Sequence, residues 1–222
     1  MPQKPRRRKR DGSKTLYIVA AVVIVLVAAV AIWYFYSYAA PSTSSGPSPI
    51  YAIVNTTKGS FEIELFPASA PKTVANFVSL AKAGFYNNLV WHRIVDTPQP
   101  FVIQTGDPLT KNGGGNRALW GTGGSNTSVP LEIDSSLHND VGYLAMAHTS
   151  TSTSATSQFY INLANNTSLD GSYTVFGRVV SGMNVVSAIA STPVYTSGQY
   201  LDQPITPSQA EIISITILGN KP

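Results

Sequence analysis

Residues 16–36, LYIVAAVVIVLVAAVAIWYFY, are 21 consecutive apolar or aromatic positions without one charge. As a helix the run is about 31 Å long, close to the hydrocarbon thickness of a bilayer. Trp33, Tyr34, Tyr36 and Tyr38 gather at its far end, where an aromatic belt belongs. Ahead of it stand seven Lys/Arg and a single acid, Asp11. Such a basic block stays on the cytoplasmic side and sends the following chain outward. The expected organisation is a basic cytoplasmic tail at 1–14, a transmembrane anchor at 15–38, a Pro/Ser-rich linker at 39–49 and a folded body at 50–222. Ser37-Tyr38-Ala39 offers small residues before a cut, so secretion after signal cleavage is the rival reading. Signal peptides have apolar cores of about 7–15 residues, and this longer run reads as a retained single-pass anchor with the body extracytoplasmic.

The anchor also separates the charges. After Ala40 there are eight Lys/Arg against ten Asp/Glu, so the body is slightly acidic and the net charge of +4 belongs to the tail. A nucleic-acid partner is not expected. Zero cysteines exclude disulfides, thiolate zinc sites and thiol catalysis. His92, His138 and His148 lack metal-site spacing. Gly113-Gly114-Gly115 lacks the Gly-Lys-Ser/Thr ending of a phosphate-binding loop, and no GxSxG marks a serine hydrolase. Neither metal nor cofactor is expected. Asn55, Asn126 and Asn166 begin N-x-Ser/Thr sequons, which matter only in a host that glycosylates.

Within the body, residues 51–66 read as a β-hairpin. Phe61, Ile63 and Leu65 alternate with Glu62 and Glu64, and Thr57-Lys58-Gly59 supplies the turn. Residues 71–83 carry Val74, Phe77, Val78 and Ala81 at helical spacing, between Pro71 and the stop signal Gly84. Strand-like composition returns through Val90, Ile94 and 101–104, and 106–130 reads as loop. Residues 141–147, 158–163 and 173–180 are further strands. A short helix follows at 181–190, and Ile213, Ile215 and Ile217 alternate in a closing strand. Many strands, two isolated helices and no βαβ alternation predict a mainly all-β antiparallel barrel or sandwich.

The stretch 91–107, WHRIVDTPQPFVIQTGD, carries the chemistry. It sets one cation, Arg93, beside Trp91, Ile94, Phe101, Val102 and Ile103 and the neutral amide of Gln104. No nucleophile, cysteine or carboxylate pair accompanies it. A site of this kind binds and polarises something mostly apolar without forming a covalent intermediate. Conformational catalysis on a peptide, or plain peptide binding, fits it.

Taken together, APKTVANFVSL, GFY, WHRI, FVIQTGDP, GTGG, GYLAMAH, SQFYINL and LDGSYTVFGRVVSGMNVV, with the closing isoleucine strand, resemble the cyclophilin family of peptidyl-prolyl isomerases. The blocks are collinear with the family's and span nearly all of 51–218. The resemblance implies a closed eight-stranded antiparallel barrel capped by two helices. It places Arg93, Phe101 and Gln104 on the family's catalytic positions. Val102, Ala147, His148, Gln158, Tyr160, Leu169 and Tyr173 fall on its substrate-binding positions. His148 stands where asparagine is common, Tyr160 where phenylalanine is usual, and Ser168 where a bulky residue is usual. The interval from Arg93 to Phe101 is three residues longer than the family's. The partners implied are proline-containing segments of client proteins, bound by a monomer. The alternative is a non-catalytic module that holds proline peptides in the same groove.

Overall fold

The computed structural model describes residues 22–23, 25–34, 47–149 and 152–219. The chain divides into two units, Met1–Ser45 and Gly46–Pro222. In the first, residues 22–23 and 25–34 are helical and exposed. The basic tail, the linker to residue 46 and the remainder of the apolar run lie outside the described residues, so the expected anchor falls largely there. Among the described residues no helix is long and apolar enough to cross a membrane.

The second unit begins with the expected hairpin, β1 (Ile50–Thr56) and β2 (Gly59–Leu65), in antiparallel register. Alternation sends Ala52, Val54, Phe61, Ile63 and Leu65 into the core. Helix α1 (Pro71–Lys82) follows, with proline in its first turn. Ala70 has no side chain to cap it, and the Glu132 carboxylate substitutes, accepting from the N–H groups of Lys72 and Thr73 at 3.0 and 2.8 Å. Val74, Phe77 and Ala81 form its buried stripe.

The remaining elements are β3 (Arg93–Val95), β4 (Val102–Thr105), β5 (Val129–Pro130), β6 (Tyr143–Met146), β7 (Ser154–Ala155), β8 (Phe159–Asn162), β9 (Val175–Ser181), α2 (Met183–Ala190) and β10 (Ile212–Gly219). Eight strands make one curled antiparallel sheet in the order β10-β1-β2-β9-β6-β8-β4-β3, and β5 pairs with β7 apart from it.

The closed barrel expected from the resemblance is not what forms. The sheet is a half-barrel whose edge strands, β3 and β10, share no ladder. β3 is three residues long, and its Ile94 N–H goes instead to Asp202 O of an irregular loop at 2.8 Å. The two edges are linked just outside β3, where Trp91 donates to Ala210 O and Ile212 to Leu89 O, both at 2.8 Å.

The pleat of the central strands divides the apolar residues between two faces. Ile103, Leu144, Met146, Phe159 and Ile161 turn inward onto an aromatic cluster of Phe77, Tyr86, Trp91 and Phe176. Val102, Ala145, Tyr160 and Val175 turn to the other face and build a second, smaller cluster with Phe101, Ala147, Leu169 and Tyr173. Period-two geometry therefore creates an apolar floor outside the main core.

Candidate active site

The β3–β4 hairpin sets the site. Its register pairs Arg93 with Gln104, Ile94 with Ile103 and Val95 with Val102. Phe101 N–H closes the turn on Val95 O at 2.9 Å. Phe101 O in turn accepts from Leu163 N–H at 2.9 Å and from Asn166 Nδ2 at 2.8 Å. The extra residues of this interval lie in the loop 96–100, where 97–100 are exposed. The extension is looped out and the ladder on which Arg93 and Gln104 stand is intact.

Nine of the ten site residues expected from the sequence line one pocket of about 250 Å³: Arg93, Phe101, Val102, Gln104, Ala147, His148, Tyr160, Leu169 and Tyr173. Arg93 is exposed at its rim, with its guanidinium carbon 6.0 Å from the centre of the Phe101 ring. Among the described residues its guanidinium makes no hydrogen bond or ion pair. Val102 and Tyr160 are buried in the floor. The Tyr160 hydroxyl donates to Asn139 Oδ1 at 2.9 Å, and Tyr173 meets its ring edge-on at 5.8 Å. Burial raises the Tyr160 phenol well above its ordinary range.

Leu169 is carried by a turn that Asp170 fastens. The Asp170 carboxylate accepts from the Asn139 backbone N–H at 2.8 Å and from its side-chain amide at 3.0 Å, and meets His138 at 2.9 Å. The Asn139 backbone N–H is the main cause that holds this carboxyl below its usual range.

Gln158, the tenth residue, stands behind Gln104. Its Oε1 accepts from Gln104 Nε2 at 2.9 Å, and its own Nε2 donates to Gly121 O at 3.0 Å and Gly123 O at 2.6 Å. Both of its N–H bonds are therefore committed to the 121–123 loop, and Gln158 reaches the pocket through Gln104. Gln158, Gln104, Ala147 and His148 also line a neighbouring cavity of about 440 Å³, whose wall is rich in hydroxyls from Thr122, Ser152, Ser154 and Thr156.

Sequence reading passed over Asp107, which ties the same loop from its other side. It is fully buried and accepts from Leu109 N–H at 2.8 Å and from the N–H groups of Gly121 and Gly123. A Cβ on Gly123 would run into its carboxylate and one on Gly124 into the Thr156 hydroxyl, so GTGG serves a tight corner. The signal was there in the pairing of a Gly-Asp-Pro with a downstream Gly-x-Gly-Gly. His92 lies beneath this corner, buried against Gly121. Burial pushes it down to about 4, with Asp107 pulling the other way.

A ring-sized pocket with an aromatic and aliphatic floor, one guanidinium, the Gln104 amide and, among the described residues that line it, no serine, cysteine or carboxylate suits conformational chemistry on a neutral peptide. The family model described as cyclophilin type peptidyl-prolyl cis-trans isomerase/CLD matches residues 51–216. The chain is 40% identical over 150 residues to peptidyl-prolyl cis-trans isomerase-like 1 of Emericella nidulans, covering 67% of this chain and 86% of that protein. It is 41% identical over 145 residues to peptidyl-prolyl cis-trans isomerase-like 2 of Rhizopus delemar, covering 65% of this chain and 25% of that one. The crystal structure of a cyclophilin type peptidyl-prolyl cis-trans isomerase from Cryptosporidium parvum, in the presence of the dipeptide Ala-Pro, matches with a TM-score of 0.65 at 28% identity, over 77% of this chain and 99% of that one. The chain belongs to the cyclophilin-type family, and it is a peptidyl-prolyl cis-trans isomerase.

Proposed function

We propose that the isomerase works through Arg93 above the Phe101 pocket, on prolyl segments of proteins that fold outside the cytoplasm. Rotation about an X–Pro bond breaks amide resonance against a barrier of about 20 kcal/mol. At the twisted geometry the prolyl nitrogen carries a lone pair that the planar amide lacks. A guanidinium N–H can donate to it only once twisting has begun, so the interaction favours the transition state over the ground state. A hydrogen bond from a charged donor is worth roughly 1.5–3 kcal/mol, or about 10- to 150-fold in rate. The observation that carries this reading is that Arg93 is exposed at the pocket rim with its donors unengaged among the described residues.

The other residues have supporting roles. Phe101, Val102, Tyr160 and Leu169 seat the ring and keep water out, which favours the less dipolar twisted amide. Gln104 stands opposite Arg93 in the ladder, within the same pocket, to orient the guanidinium once peptide is bound, and Gln158 fixes Gln104. Ala147, His148 and Tyr173 hold the flanking backbone. No proton transfer is required.

The location follows from the first 38 residues. Their basic block and apolar run support a single-pass anchor with the tail cytoplasmic and a monomeric isomerase unit outside. Alkaline carbonate washing and protease digestion of spheroplasts test it. The chain is expected in the membrane pellet, with its isomerase unit cut by externally added protease. Release by carbonate, or protection from protease, contradicts the topology.

A further inference from the structure

His148 sits on the ridge between the two cavities and lines both of them. Its ring stacks on Tyr173 with centroids 4.5 Å apart and planes at 28°. Nδ1 lies 2.8 Å from Thr149 O, and Nε2 lies 2.9 Å from Ser172 O. Both partners are carbonyl oxygens, which only accept. A neutral imidazole has one N–H and leaves one contact without a proton, whereas the imidazolium donates to both. The ring thereby joins the strand exit at 147–149 to the turn at 169–173, the two backbone segments that wall this side of the groove.

We propose that His148 is a proton-dependent positioning residue of the isomerase groove: with one proton taken up from solvent, its ring clasps Thr149 O and Ser172 O together and fixes the ridge beneath the bound peptide. This rests on the groove reading given above. Proline peptides then bind more tightly in mildly acid than in alkaline solution. The titratable and charged groups around the ring are Tyr173 beneath it and Arg93 and Tyr160 across the pocket. The larger cavity adds hydroxyls and amides but no charge. Burial keeps Tyr160 a neutral phenol and His92 neutral down to about pH 4. His138, paired with Asp170 at the base of the same turn, is the one other imidazole there and serves as the control.

The test is protease-free exchange NMR on an Ala-Pro peptide with the full-length chain, giving KM and kcat between about pH 8 and about pH 5.5. For the wild type, KM is expected to fall about fivefold on acidification with kcat nearly constant, because the clasp acts on ground and transition states alike. His148→Asn is expected to abolish the step, leaving a KM that no longer changes with pH, and His138→Asn to keep it. In the wild type at the acid end, 15N spectra are expected to show slowly exchanging protons on both nitrogens of His148. A flat wild-type profile with full turnover, a step that survives His148→Asn or vanishes in His138→Asn, or freely exchanging ring protons would each overturn the proposal. Absence of turnover at every pH would instead remove the groove reading, and this inference with it.

Discussion

Gln104 Nε2 donates to Gln158 Oε1 across 2.9 Å, and through that bond the β3–β4 hairpin is tied to the loop at 121–123. The two glutamines are 54 residues apart and reach each other because β4 and β8 are neighbours in the sheet. Gln158 is one of the few buried polar side chains beside the pocket, and all its N–H bonds are spent on holding backbone.

Gln158→Leu keeps the volume but removes three hydrogen bonds and orphans two loop carbonyls. Each buried polar group left unsatisfied costs about 1–3 kcal/mol. The melting temperature of the isomerase unit is expected to fall by about 5–10 °C, and kcat/KM by about tenfold as Gln104 loses its fixed orientation. Calorimetry and the peptide assay read the two effects separately. Loss of activity without loss of stability would mean that Gln158 touches substrate directly.

Asp107→Asn puts an amide where three backbone N–H groups converge. At least one donor is left without an acceptor, and a donor is turned against another donor. A loss of about 2–4 kcal/mol is expected in urea unfolding. Gly123→Ala is expected to be destabilising for a related reason, since its methyl group occupies the space of the same carboxylate.

His92 gives the fold an acid limit. Its folded value of about 4 lies below the ordinary histidine value of about 6.5, so the unfolded chain binds the proton more readily. The stability contribution is complete above about pH 6.5, declines as the pH falls toward about 4, and is flat below that. The full loss is on the order of 3 kcal/mol. Denaturant unfolding from pH 7 to 4 should show this slope in the wild type and a shallower one in His92→Phe. An equal slope in both would clear His92 of the effect.

Much of this was legible in the amino-acid sequence because the relevant signals are local. Phe61, Ile63 and Leu65 alternate over seven residues, and α1 shows its stripe between a proline and a glycine. The residues that line the pocket were legible because WHRI, FVIQTGDP and SQFYINL place several of them in short blocks. What escaped depends on partners far apart in the chain. Glu132 caps a helix 60 residues upstream, and Asp107 binds a loop 14 residues downstream. The open edge of the sheet escaped for the same reason, since Ile94 N–H is taken by Asp202 O in a segment with no strand pattern. The committed amide of Gln158 is likewise a property of the folded loop and has no trace in the composition.

The account turns on Arg93. Arg93→Ala and Arg93→Lys should be compared with the wild type for kcat/KM and for dissociation constant on the same Ala-Pro peptide. The expected result for Arg93→Ala is a fall in kcat/KM of about 10- to 150-fold with peptide affinity changed by no more than about threefold. Arg93→Lys should recover part of the rate, because a single ammonium replaces the planar fork. Wild-type turnover by Arg93→Ala, or a loss confined to peptide affinity, would contradict a guanidinium that acts on the twisted bond.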